Sequence, residues 1–177
     1  MSEPVVFVAG MEGLIKALEP RVDAAFWKRL RERGFDKDKP LLAATPAKTW
    51  LLVLEAGVEA VGGDRTAAQR ALGVAAIEGF QQTLVGRALF PLLKLIGLKR
   101  GLERISRSFQ SGNDFLDMKL VSFEPGEARL EAREVLGVGE HFAGMLIAGC
   151  TAVGAREVSC ETRPAGNGAH FVVKWSR

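Results

Sequence analysis

GEHFAGMLIAGCTAVGAREVSCETRPAGNGAHFVVKW, residues 139–175, decides the fold. In its first half Phe142, Met145, Leu146, Gly149 and Val153 recur at i, i+3, i+4, i+7 and i+11, the spacing that puts one apolar stripe on a helix of about four turns. A Gly-Ala pair then stops that helix. Val158 and Cys160, followed by Phe171, Val173 and Trp175, fall at spacing two, as side chains do along one face of a strand. Pro164, Gly166, Asn167 and Gly168 between them favour a turn. The stretch predicts helix, strand, turn, strand.

Working back, the two-residue period recurs at 127–133, with Ala128, Leu130 and Ala132 inward and Glu127, Arg129, Glu131 and Arg133 outward. Pro125-Gly126 links it to another strand at 117–123. Before residue 113 the period is helical. A helix over 21–33 ends at Gly34, and a second runs from Pro46 to Gly62-Gly63 with Trp50, Leu51, Leu54 and Val58 on one side. Thr66 and Gln69 form a capping-box pattern at the start of a long helix reaching to about residue 90. Its Gly73, Gly79 and Gly86 weaken the helix intrinsically and point to close packing. Pro91 predicts a restart at Leu92, and Gly101 a separate short helix. Residues 4–18 offer an apolar run, a glycine break and a turn or two of helix around Leu14, Ile15 and Leu18. The fold class is therefore α+β, an N-terminal helical layer packed on a C-terminal antiparallel sheet with a crossing helix, in the order strand-strand-helix-strand-strand. At 177 residues the chain suits one domain, 1–177, with 1–112 mainly helical and 113–177 carrying the sheet and crossing helix.

Composition narrows the function classes. Hydrophobic residues at 47% and charged residues at 25% are globular values. A net charge of +3, with no aromatic residues interleaved among the bases, argues against nucleic acid as a partner. The most apolar run, 88–98, contains Lys94 and Pro91 and falls well short of the roughly 20 residues of a membrane span. Without a signal-peptide pattern, a cytoplasmic address is expected. Cys150 and Cys160 read as reduced, small core residues, and no closely spaced ligand set suggests zinc. No nucleophile elbow, P-loop or dinucleotide fingerprint is present, so the chain reads as non-enzymatic, with no cofactor. His141 and His170 fit surface or capping roles, and Glu55 and Glu78 fit solvated helix edges.

Two groups invite a partner. Arg100, Arg104 and Arg107 share a helical face that could hold a phosphate, an anionic lipid head or an acidic protein surface. The neighbouring Leu92, Leu93, Leu95, Ile96 and Leu98 suit a core or a dimer interface better than a membrane surface. Phe80 and Leu84 from the long helix, with Phe142, Met145 and Leu146 from the crossing helix, could line an apolar pocket in which Met145 is an adaptable wall.

The segments FWKRLRERGFDKDKPLLAATPAKTW, ALGVAAIEGFQQTLVGRAL, LIGLKRGLERISRSFQSGNDF and FAGMLIAGCTAVGA, with the closing FVVKW, resemble a family of short paralogous myxobacterial proteins of unassigned function. More distantly, the helical layer and its sheet are similar to haem nitric-oxide-binding, vinyl-reductase-like sensor and TRAPP tethering domains. Haem-binding members use a helix histidine and a Tyr-Ser-Arg cluster, but this chain has no tyrosine. Of the zinc-binding cysteines of the vinyl-reductase-like sensors, only Cys160 has a counterpart. Two roles follow as expectations: a regulatory or scaffolding domain acting through protein contacts, homodimeric through helical faces rich in small and aliphatic residues, or a sensor holding a small apolar or amphipathic ligand between the long helix and the crossing helix.

Overall fold

The computed structural model describes residues 3–176, apart from the side chains of residues 105, 106 and 108. The elements in chain order are β1 Val5–Phe7, α1 Val8–Leu18, α2 Ala24–Glu32, β2 Ala44–Pro46, α3 Ala47–Val61, α4 Arg65–Gln81, α5 Leu84–Glu103, α6 Ile105–Gln110, β3 Met118–Glu124, β4 Glu127–Ala132, α7 Gly139–Ala152, β5 Arg156–Ala165 and β6 Gly168–Ser176. The α+β class and the closing strand-strand-helix-strand-strand order are those read from the sequence. The antiparallel sheet has the order β3-β4-β6-β5, so the chain leaving β4 must cross the sheet to reach its far edge, and α7 is that crossing. Leu130 stands opposite Phe171, and Val173 lies between Ala128 and Cys160. This alternation gives the sheet one buried apolar face, and α7 covers it. Next come α4 on α7 and α1 on α4, so the core is a stack of sheet, crossing helix and two more helices.

Glycine sets the spacing of this stack. A Cβ at Gly73 would stand 1.9 Å from the His141 carbonyl oxygen, and one at Gly144 would stand 2.0 Å from that of Arg70. Only hydrogen in place of a side chain lets the backbones of α4 and α7 touch. On the opposite side of α4, a Cβ at Gly79 would meet the Gly13 carbonyl oxygen at 2.6 Å. The small residues at these two crossings are thus packed inside the chain.

Several boundaries differ from the sequence reading. Asp64 rather than Thr66 caps α4, its carboxylate accepting from the Ala67 N–H at 2.7 Å. Instead of running on to residue 90, α4 ends at Gln81: Thr83 donates its hydroxyl to the Phe80 carbonyl at 2.7 Å and accepts from the Gly86 N–H at 3.0 Å, capping a new helix. Pro91 lies within α5, where both it and Arg87 are exposed, so the carbonyl that loses its donor faces water. The interruption falls at Gly97, whose φ of 80° and ψ of 166° suit glycine alone, and again at Arg104, where α5 stops. Gly101 stays inside α5, Gly10 and Gly13 inside α1, and Pro164 inside edge strand β5, where a missing N–H is tolerated. Among the described residues no helix is long and apolar enough to cross a membrane.

The α4–α7 contact is testable by contrast. Gly144→Ala should destabilise the protein by about 3 kcal/mol or more in urea denaturation, because neither backbone can yield. Gly149→Ala, one turn further on with nothing within 4 Å of the new methyl, should stabilise α7 by up to about 1 kcal/mol.

Candidate apolar ligand site

Between α1, α4, α5 and α7 lies a cavity of about 140 Å³. Phe142, Met145, Leu146, Gly149 and Val153, the stripe read from α7, all border it. α7 thus covers the sheet on one side and opens onto the cavity on the other. Facing the stripe, α4 supplies Ala76, Ile77 and Phe80, and α5 supplies Leu89, Phe90 and Leu93. After the turn at Gly97, Leu98 and Leu102 close the wall. Among the described residues no Asp, Glu, Lys or Arg borders the space.

Of the residues expected to line a pocket, Phe80, Phe142, Met145 and Leu146 meet around this one cavity, and Leu84 does not. Leu84 is 87% exposed. The reason is the Thr83 cap: the chain turns there, and the first residue of the new helix points away from α4. The wall expected from Leu84 comes instead from α5. Its Leu89, Phe90 and Leu93 fall at i, i+1 and i+4, a helical spacing hidden by treating Pro91 as a break.

The polar group that matters is His141, for which the sequence predicts a surface or capping role. It is 1% exposed. The close approach at Gly73 and Gly144 draws the first turn of α7 under α4, where the imidazole lies edge-on to Trp50, with ring centres 5.4 Å apart. It interacts with the Gln69 backbone carbonyl, while Nδ1 has no partner. Burial lowers its pKa to about 4, so the ring is neutral near pH 7. Asn113, also at the wall, is committed to the chain: its side-chain carbonyl accepts from the Leu116 N–H at 2.8 Å and its amide donates to the Phe109 carbonyl at 3.4 Å. Cys150, a wall residue, and Cys160, in the sheet, are buried as expected, and burial pushes both thiols up to about 12, leaving them protonated. His170 is exposed, as are Glu78 and the arginines Arg100, Arg104 and Arg107. The last three do not share one helix, because α5 ends between them at Arg104 and Arg107 belongs to α6.

Residues 5–176 match the family described as "Protein of unknown function (DUF2378)". The chain belongs to this family. No curated protein matches the sequence. Among solved structures, an H-NOX protein from S. oneidensis in the Fe(II)NO ligation state is similar with a TM-score of 0.75 at 7% identity, covering 96% of this chain and 98% of that one. A structure from work on haem redox potential and porphyrin distortion gives 0.69 at 12% identity, covering 93% and 97%. An oxygen-binding H-NOX domain related to soluble guanylate cyclases gives 0.67 at 11%, covering 94% and 93%. At such identities the likeness is one of fold.

In this DUF2378 chain, no group of three or more His, Cys, Asp or Glu among the described residues could hold a metal ion. Arg70 of α4 does meet Glu140 of α7, with Nε 2.9 Å from the carboxylate, but this pair fastens the helix crossing beside His141 and lies outside the cavity wall.

The buried imidazole has a pH signature. The unfolded chain takes up a proton at His141 near pH 6.5 and the folded chain only near pH 4, so its contribution to stability is complete above pH 6.5 and is lost as pH falls towards 4. His141→Phe should remove about 3 kcal/mol of the difference in unfolding free energy between pH 7.5 and pH 4, measured by urea denaturation of both proteins.

Proposed function

We propose that the protein is a sensor domain that binds a small apolar or amphipathic molecule in the cavity between α4, α5 and α7. One observation carries this reading: a partly open pocket between helices, lined mainly by aliphatic and aromatic side chains. Enclosed cavities of about this size lined by aliphatic and aromatic groups accept molecules the size of benzene, and the open side of this pocket gives such a molecule a way in. An occupant would gain dispersion contacts that the empty wall lacks. His141 in the wall is neutral, so it sets no fixed charge against an apolar occupant. Because α5 and α7 form opposing walls, filling the space would bias how α5 sits, and Gly97 is the point at which it could move.

The fold neighbours are associated with haem, iron and oxygen, but haem does not suit these residues. The space, about 140 Å³, is below the roughly 300–1,000 Å³ of clefts for drug-sized ligands. Among the described residues its wall also carries no lysine or arginine to pair with buried propionates, which would otherwise be costly to desolvate. A smaller, uncharged molecule answers both points. In this reading the protein works in the cytoplasm without catalysis.

Calorimetric titration with benzene and with hexanol tests the assignment. Both should bind the wild-type protein, and ligand at 100 times Kd should raise stability by about 2.7 kcal/mol. Met145→Trp, which fills the space, should abolish binding, whereas Leu84→Trp on the outer surface should leave it intact. Equal affinity in the two variants would remove the cavity from consideration.

A further inference from the structure

Each turn of α5 carries apolar side chains on two sides, and the cavity uses only one. On the outer side of residues 84–96 stand Leu84, Val85, Leu92 and Leu95, and Leu92 and Leu95 are 57% and 84% exposed. Of the core and dimer-interface roles expected for these leucines, this exposure removes the core for Leu92 and Leu95. The same outer surface bears Arg87 and Lys94, followed by Lys99 and Arg100. From residue 79 to residue 102 the sequence contains no Asp or Glu. The result is an exposed helix that is at once apolar and uniformly cationic.

We propose that the outer face of α5 docks on an anionic lipid surface. Leucine and valine side chains enter the boundary between headgroups and acyl chains, while the cations remain at the level of the lipid phosphates. Charge selects this occupant. A second copy of the chain packed on the face about a twofold axis would bring the cations of one copy, Arg87 and Lys94 among them, up to those of the other, with no carboxylate on the segment to offset them. A bilayer surface supplies negative charge wherever the cations fall and requires no matching shape. α5 would lie flat on it, since no described helix can span a membrane.

Sedimentation with phosphatidylcholine vesicles, with and without phosphatidylglycerol, is the test. The wild-type protein should bind the anionic vesicles and release them as salt rises, and should bind neutral vesicles far more weakly. Arg87→Glu with Lys94→Glu should lower partitioning by at least about five-fold for each cation removed. Leu92→Glu with Leu95→Glu should also lose binding, with the melting temperature unchanged because both positions face solvent. Met145→Trp should bind vesicles like the wild type, which separates this surface from the cavity. The proposal is overturned if neutral and anionic vesicles bind alike, or if the charge-reversed protein binds as well as wild type. It is overturned equally if the wild type does not bind and the leucine variant instead converts a dimer to a monomer, or abolishes capture of an acidic protein.

Discussion

Backbone contact between α4 and α7 at Gly73 and Gly144 is the constraint on which the rest of the molecule depends. With carbonyl oxygens where Cβ atoms would stand, the two helices form a single thick layer over the sheet. That closeness carries His141 into the interior and brings Arg70 against Glu140. It also leaves the far side of α7, with Met145, Leu146 and Gly149, looking across a gap that no helix backbone fills. The cavity is a consequence of packing two helices as tightly as possible and roofing the remainder with a third that cannot follow.

α5 is that third helix, and its irregularities explain its position. Thr83 forces a fresh start, Pro91 removes a backbone donor, and Gly97 turns the chain through a conformation closed to other residues. A straight continuation of α4 would have carried Leu84 towards the interior and left no separate wall. The broken path instead gives α5 an inner surface at the cavity and an outer surface of leucine and cations, so that one element touches both the proposed ligand and the proposed lipid surface.

Much of this was legible in the residues themselves. Period-two alternation at Ala128, Leu130 and Ala132, and again at Phe171 and Val173, identified the sheet face because burial on one side leaves a direct imprint on sequence. The α7 stripe was readable for the same reason, and its members proved to border one cavity. Helix boundaries were less accessible, since Thr66-Gln69 and Asp64 are both credible caps and only the folded chain shows which side chain accepts the hydrogen bond. Leu84 was misplaced by the same ambiguity one helix later. His141 was out of reach altogether: a lone histidine at a helix start looks alike whether it is solvated or drawn under a neighbouring helix. What buries it is Gly73, far away in sequence.

The central claim is that the space bounded by Phe80, Leu93, Phe142 and Met145 receives a small apolar molecule. Crystallography under xenon pressure observes this most directly, because xenon needs only a dry, polarizable enclosure. Xenon density is expected within that space, in contact with Met145 and Leu146. Density absent there while xenon occupies other sites, or side chains found collapsed into the gap, would contradict it.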